Sequence, residues 1–516
     1  MFTLGDIARK GARLHGRREA LVFASTRVTY RGLDERSNRL ANALVAAGLA
    51  RGETIGILAE NTHKYMESYF AASKAGLVVT PLNFRLSDAE LTHIINDAEV
   101  RLLLLGDRYE DVARRIHGGL KTVRSLVAFE GPAEGMLDYE QMLETASAVD
   151  PGADVDEDDL ALLMYTGGTT GLPKGVMLSH RNLITGLLCL TQQYQFTARD
   201  ATCMMLPLFH VSFWPAFCHL MVGGKVVVVR RPELGAILQA VQKERCTHLN
   251  AVPTLYNWLL EFEGLDDYDL SSLRLMTYAG SPIPARVLQS CMAKFGNIFA
   301  QGYGLTEAAP VVTALMPEDH ILEGPGSARL KSVGREGLVV EVKIAGDDGR
   351  ELPVGEVGEV AVRGPNITRG YWKNPELTVE KIRDGWLFTG DMGSVDEEGY
   401  LYLVDRKADM IITGGENVYP AETEAVLYRH PAVYECVVVS APDEKWGERV
   451  QAVVVLKPGA IATEDELVAH CKESLAGYKC PKKVEFWDKI PKSTVGKILR
   501  REVKVRFWEG QDKVIG

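Results

Sequence analysis

No run of about 18 apolar residues occurs anywhere in the chain, so no segment is suited to cross a bilayer as a helix. Paired metal-ligand spacing is missing too. The eight cysteines (Cys189, Cys203, Cys218, Cys246, Cys291, Cys436, Cys471 and Cys480) contain no Cys-x-x-Cys pair, which excludes a zinc framework and a disulfide scaffold. They read as buried free thiols in a reducing compartment. Positive charge is not in excess: 58 Lys and Arg stand against 69 Asp and Glu, a net charge of -11. That balance argues against a nucleic-acid partner, whose binding rests on cations facing phosphates. Arg9, Lys10, Arg13, Arg17 and Arg18 lie near the amino terminus, but no apolar run follows them, and Asp6 and Glu19 dilute the basic stretch. Neither a signal peptide nor a transit peptide is read there, and the cytoplasm is the expected location. Repeats and low-complexity segments are absent as well.

What remains is a chain of 516 residues, 46% hydrophobic and 25% charged, long enough for one large domain and a smaller one. Thr3 and Asp6 open a helical pattern with Leu4, Ile7, Ala8 and Leu14 on one face. Short apolar runs then alternate with helical stretches, at 54–58, 77–80, 101–105, 125–129, 160–165, 225–229 and 273–278. Such runs predict βαβ units with parallel sheets covered on both faces. From about 324 to 404 glycine and proline become dense, and short strands at 339–344, 358–362 and 401–404 suggest an antiparallel or barrel-like subdomain. In the last 110 residues or so, strands at 437–440 and 450–456 and a helix capped by Thr463 and Glu466 predict a small α+β domain. The expected fold is therefore α/β: a large domain over 1–405 with a small β-barrel-like subdomain, then a small mobile domain over 406–516.

The strand expected at 160–165 runs into Thr166-Gly167-Gly168-Thr169-Thr170-Gly171-Leu172-Pro173-Lys174-Gly175. Glycines allow backbone N–H groups to turn toward an anion, hydroxyls add donors, and Lys174 adds a cation. The plain alternative is a flexible surface loop; the preceding strand, the lysine and a helical stretch from His180 argue against it. Pro173 stands where a P-loop would have glycine, so this is not the G-x-x-x-x-G-K-[ST] motif. No G-x-G-x-x-G follows the first strand either, which leaves a dinucleotide fold unsupported.

Residues 165–175 resemble the phosphate-loop signature of the adenylate-forming superfamily, which includes acyl-CoA synthetases, amino-acid-activating domains of peptide synthetases and firefly-type luciferases. Gly167 stands where many members have serine. Companion segments resemble those of the family in the same order along nearly the whole chain. Gln301-Gly302-Tyr303-Gly304-Leu305-Thr306-Glu307 matches the segment where an aromatic packs on adenine, threonine meets phosphate and glutamate holds Mg²⁺; Thr166 joins Glu307 as an implied Mg²⁺ contact. Ala279-Gly280-Ser281-Pro282 resembles the stretch beside the adenine and acyl sites. Asp391, in Trp386-Leu387-Phe388-Thr389-Gly390-Asp391, and Arg406 match the two residues that reach the ribose. Gly414-Gly415-Glu416 resembles the loop lining the thiol tunnel, and Lys497, closing Pro491-Lys492-Ser493-Thr494-Val495-Gly496-Lys497, matches the catalytic lysine.

The resemblance implies two half-reactions. A carboxylate attacks the α-phosphate of ATP to give an acyl-adenylate and pyrophosphate; a thiol, coenzyme A, then takes the acyl group and releases AMP. The family rotates its small domain between the steps about a hinge that falls here at Ala408, where members usually carry Asp or Lys. Leu206-Pro207-Leu208-Phe209-His210-Val211-Ser212-Phe213-Trp214 resembles the segment bordering the acyl site, which makes His210 a candidate catalytic residue. The aspartate that amino-acid-activating domains place just after this segment does not occur before Gly223, so a free acid is preferred to an amino acid. Acetate-activating relatives have tryptophan at the position of Gly304. Glycine there implies a larger acid, with a medium- or long-chain fatty acid favoured over an aryl or cinnamic acid; a carrier protein is the alternative acceptor. A homodimer is compatible with all of this.

Overall fold

The computed structural model describes residues 2–168, 171–280, 283–407, 409–413, 416–443, 445–492 and 498–509. By packing, the chain divides into two units, 1–342 with 362–387, and 343–361 with 388–516.

Two sheets build the first unit. In the seven-stranded sheet the strands Val100–Leu105, Thr54–Leu58, Val78–Pro81 and Leu160–Gly168 run side by side in that order, all parallel. The nine-stranded sheet has a parallel centre of Phe299–Tyr303, Leu275–Ala279, His248–Ala251, Ala201–Met204, Lys225–Val228 and Glu19–Phe23. The near-continuous apolar runs explain this arrangement, because a strand covered on both faces has no polar side to offer water. One apolar core joins the sheets: Ile55, Ile57, Leu102 and Leu104 from one meet Leu21, Val226 and Val228 from the other through Tyr65, Tyr69, Phe70 and Phe217 of the intervening helices.

Local expectations mostly hold within two or three residues, with two instructive departures. Helix Gly5–His15 buries Ile7 and Ala8, and Asp6 accepts hydrogen bonds from the N–H groups of Phe2 and Thr3. Leu14, however, in the last turn of the helix, is 57% exposed. The second departure concerns residues 171–179. They form a strand, Gly171–Ser179, on the edge of the seven-stranded sheet and antiparallel to Leu160–Gly168. An edge is where a sheet tolerates a residue such as Pro173 that lacks an N–H. The helix expected from His180 is present as His180–Gln193, capped by Ser179 and Asn182, but a whole strand separates it from the glycine loop.

In the second unit, most of strands Glu341–Ala345, Gly358–Arg363 and Trp386–Val395 join Leu401–Arg406 in one sheet. A further sheet is built on the long antiparallel pair Val433–Asp443 and Gly447–Leu456. Alternation along the first of these strands sends Cys436 and Val438 into a core with Leu427, Leu467 and Cys471, and Val437 and Val439 into another with Ile490 and Val503. Helices thereby cover both faces. The Thr463–Glu466 capping box opens helix Glu464–Lys472 as expected. By packing, 388–405 groups with this tail.

Candidate active site

In a parallel sheet, ligands bind beyond the carboxyl ends of the strands. Four of the candidate segments sit at such ends in the first unit. The glycine loop follows Leu160–Gly168; residues 206–214 follow Ala201–Met204; Gly280 follows Leu275–Ala279; and Gly304 to Glu307 follow Phe299–Tyr303.

The glycine loop is the tip of a β-hairpin. Thr166 lies opposite Lys174, and Gly168 opposite Gly171. Directly opposed residues of an antiparallel pair project to one face, so the Thr166 hydroxyl and the Lys174 ammonium share a side. Both are half-buried, and among the described residues no carboxylate pairs with Lys174. A cation held without a partner beside backbone N–H groups is suited to phosphate. Because the strand Gly171–Ser179 intervenes, the N-terminus of the following helix does not supply that site as it would in a P-loop. Gly167 and Gly168 lie in the hairpin; Thr169 and Thr170 lie outside the described residues. Tyr165, at the base, donates to Asp97 Oδ2 at 2.5 Å.

Gln301, Gly302 and Tyr303 form the end of their strand, registered between Tyr278–Ala279 on one side and Thr313–Leu315 on the other. Gly280 has a φ of 86°, and a Cβ there would meet nothing within 4 Å, so the chain turns away into open space. Its neighbour Ser281 lies outside the described residues. Thr306 is buried and opens the short helical turn Thr306–Ala308, in which Glu307 follows it.

Sequence reasoning missed the segment that joins the hairpin to this turn. Residues 365–372 run along the strand Gly171–Ser179: Met177 N–H donates to Gly370 O at 3.0 Å, Trp372 N–H to Gly175 O at 2.8 Å, and Thr368 Oγ1 to Met177 O at 2.6 Å. The same segment grips the glutamate turn. Fully buried Asn366 donates to Ala308 O and Val311 O at 2.6 and 3.0 Å, and Thr368 N–H donates to Glu307 O at 2.7 Å. Tyr371 Oη donates to Glu307 Oε1 at 2.9 Å. Burial first, and then the Glu307 charge, raises the Tyr371 pKa above its ordinary value, so it stays a donor. No spacing in the sequence connects Asn366 or Tyr371 with residues about sixty positions earlier; only the fold does.

Among the described residues no lysine or arginine pairs with Glu307, and no group of three or more His, Cys, Asp or Glu could hold a metal by itself. A single oriented, unneutralised carboxylate fits Mg²⁺ bound chiefly through phosphates, since Mg²⁺ seldom occupies an all-protein cage. Phenylalanine at Tyr371 should raise the Mg²⁺ concentration for half-maximal nucleotide binding about tenfold, the usual scale for losing a hydrogen bond to a metal-binding carboxylate. Titration of Mg·ATP binding by calorimetry checks this, and an unchanged Mg²⁺ requirement would exclude the orienting role.

Two sequence readings change here. Gly304 was expected to open the acyl pocket. In the structure a Cβ at this position would lie 1.7 Å from the carbonyl oxygen of Pro310, so backbone approach demands the glycine and pocket size does not follow from it. Phe213 and Trp214, which end the segment expected to border the acyl site, are packed in the core: Phe213 on Tyr69 and Phe217, and Trp214 on Tyr194 and Phe196. His210, by contrast, is exposed at the sheet rim, where its Nδ1 accepts from Ser212 N–H at 3.2 Å. All eight cysteines are buried. Burial pushes the thiols up, those of Cys218 and Cys246 to about 12, which leaves no reactive thiolate among them.

In the second unit Asp391 and Arg406 are cross-strand partners, with Arg406 Nε 2.5 Å from Asp391 Oδ1. The arginine therefore aligns the buried carboxylate beside it, a pair of acceptor and donor suited to a diol. Glu416 is exposed and lies opposite Thr413; Gly414 and Gly415 between them lie outside the described residues, as do Ala408 and Lys497.

The AMP-binding enzyme family matches residues 8–372, and the AMP-binding enzyme C-terminal domain matches 422–497. A feruloyl-CoA synthase of Amycolatopsis is 41% identical over 98% of this chain and 99% of its own. The fatty acid–[acyl-carrier-protein] ligase ScoC of Streptomyces coeruleorubidus is 37% identical over 95% and 93%. Among solved structures, ATP-bound MatB from Rhodopseudomonas palustris superposes with a TM-score of 0.87 at 32% identity, covering 97% of this chain and 99% of that one.

Proposed function

The chain belongs to the AMP-binding enzyme family and is an AMP-forming acid–thiol ligase, and from that premise we propose that it converts a hydrophobic carboxylic acid into its coenzyme A thioester in two steps. The observation that carries this reading is the segment 365–372, which ties the phosphate hairpin and the Glu307 turn into one frame. A carboxylate is a poor acyl donor because its leaving group would be oxide. In the first step its oxygen forms a bond to the α-phosphorus of ATP while the bond from that phosphorus to the β-bridging oxygen breaks, releasing pyrophosphate. Two anions must meet, so the site supplies cations and positioning. Thr166, Gly167, Gly168, Thr169, Thr170 and Lys174 hold the β- and γ-phosphates. Glu307, with Thr166, would hold Mg²⁺, which would supply positive charge at the phosphates. Gly280, Ser281, Gln301, Gly302 and Tyr303 form the adenine side, Thr306 meets phosphate, Asp391 and Arg406 take the ribose, and Lys497 neutralises the carboxylate–phosphate encounter. His210 borders the acyl carboxylate at the rim.

In the second step the thiol sulfur forms a bond to the acyl carbon, the bond to the adenylate oxygen breaks, and the thiol proton is lost as AMP departs. Gly414, Gly415 and Glu416 line the thiol path. A rotation of residues 406–516 about a hinge near 408 brings each set into use in turn. An aromatic acid of the ferulate class is the first choice of substrate, supported by the 41% identity to a feruloyl-CoA synthase across the whole chain. The likeness to ScoC supports a fatty acid and a carrier-protein acceptor as the second reading. Mass spectrometry of products from ferulate, a cinnamate series and C8–C16 fatty acids, each with free coenzyme A and with a phosphopantetheinylated carrier, separates them. Ferulate turnover with free coenzyme A is the expected result; turnover only of fatty acids, or only on the carrier, would replace the first reading with the second.

A further inference from the structure

Helix His180–Gln193 ends at Tyr194, a residue held at every point except its hydroxyl. Its N–H donates to Leu190 O at 2.9 Å, and its carbonyl accepts from Arg274 Nη1 at 3.4 Å. Arg274 is itself clamped on buried Asp200, Nε to Oδ1 at 2.6 Å and Nη2 to Oδ2 at 3.0 Å. The phenol ring stacks on Trp214 with centroids 5.5 Å apart and leans on Phe196 at 5.8 Å. Tyr194 is only 3% exposed, yet among the described residues no group pairs with its Oη. Burial raises its pKa above the ordinary value, so the hydroxyl keeps its proton.

That hydroxyl lies over the nine-stranded sheet. A Cβ built on Gly302 would come 3.5 Å from Tyr194 Oη and 3.9 Å from Ala279 Cβ, and within 4 Å of nothing else. Gly302 and Ala279 are register partners near the carboxyl ends of their strands, and both are half-buried, so the face is open there. Successive residues of a strand look to opposite faces. Gly302 therefore faces away from the side of Tyr303, the side read above as adenine. Deeper on the Gly302 face the polar groups satisfy one another: Thr277 Oγ1 donates to Asn250 Oδ1 at 2.9 Å, and His248 bridges Thr202 and Thr277 at 3.0 Å each. These bonds close the floor. The Tyr194 hydroxyl stands above it, where a ligand entering beyond the strand ends would reach it.

A buried hydroxyl left without a partner is costly, and a partner of the right kind removes that cost. A saturated chain or an unsubstituted ring over Gly302 would leave Tyr194 Oη stranded. An oxygen at the far end of a ring would not. We propose that Tyr194 is a specificity-determining residue of the acyl site: its hydroxyl, held over Gly302 and Ala279, hydrogen-bonds an oxygen at the ring end of a phenolic acid and sets 4-hydroxylated aromatic acids ahead of acids whose far end is apolar. This role rests on the aromatic-acid reading given above and narrows it to a ring carrying oxygen opposite its carboxyl arm. Tyr194 takes part in no bond-making step; it selects by binding. Either hydroxyl can donate to the other, and the stacked ring is already ordered before the acid arrives.

Steady-state rates with cinnamate, 4-coumarate and ferulate test this in the wild-type enzyme and in Tyr194→Phe, which removes one oxygen and keeps the ring on Trp214. Wild type should prefer 4-coumarate to cinnamate about tenfold in kcat/KM, the scale of one hydrogen bond to a buried group. Tyr194→Phe should bring that ratio to about one by losing 4-coumarate and ferulate, with cinnamate held within about twofold; the loss should sit in KM more than in kcat, because the hydrogen bond is made equally before and during the chemistry. A ratio unchanged in Tyr194→Phe, or equal loss on all three acids, overturns the role of Tyr194. C8–C16 fatty acids run alongside separate the two levels. Wild type that turns over only these overturns the aromatic reading and the proposal with it. Wild type that takes ferulate, with the same preference kept in Tyr194→Phe, leaves the aromatic reading standing and removes only the tyrosine.

Discussion

Replacing Lys497 with alanine should reduce acyl-adenylate formation by about three orders of magnitude while leaving thiol transfer from a supplied acyl-adenylate largely intact. The asymmetry follows from charge. In the first step a carboxylate approaches a phosphate that is itself anionic, and a preorganised cation at the point of contact is worth about 10²–10³ in rate. In the second step the acyl group is already activated and the leaving group is AMP, so that cation is no longer needed where it was. Rapid-quench measurement of each half-reaction checks the split. Comparable losses in both would assign Lys497 to binding or folding in place of the first chemical step.

The second large effect concerns Gly304. A methyl group there would sit 1.7 Å from the Pro310 carbonyl oxygen, so Gly304→Ala forces one backbone segment away from the other. Overpacking of this kind costs about 1–3 kcal/mol or more. The displaced segment also leads directly into Thr306 and Glu307, where a shift near 1 Å costs about 100-fold in rate. Adenylation of every acid should therefore fall together, short and long alike, with a lowered Tm. A pocket-gating role would give another pattern, in which acetate and propionate are spared and bulky acids excluded. A substrate-length series on this one variant distinguishes the two.

Gly304 also illustrates what a sequence can and cannot carry. The family was legible because the segments that carry the resemblance, from Thr166–Lys174 through Glu307 and Asp391 to Arg406, are each contiguous in the sequence. The parallel strands were legible as well, since runs such as 54–58 and 101–105 are apolar enough to be covered on both faces. The strand Gly171–Ser179 was not, because Gly171, Pro173 and Gly175 remove the usual strand composition, and its pairing comes from Leu160–Gly168 instead. Asn366 and Tyr371 were invisible for a different reason. One carboxamide and one phenol act on backbone and carboxylate groups far away in sequence, and no local pattern marks such a contact. The place of Trp214 against Tyr194 and Phe196 likewise comes from the fold, since an aromatic side chain suits a core and an acyl pocket equally.

The central claim is that a carboxylic acid is activated on ATP before any thiol takes part. Isotope exchange of labelled pyrophosphate into ATP, run without coenzyme A over a panel that includes ferulate, cinnamates and fatty acids, tests it most directly. The account predicts exchange that depends on the acid and on Mg²⁺, strongest with its true substrate and lost in Lys497→Ala. Exchange with no acid in the panel, or exchange that appears only after coenzyme A is added, would contradict it.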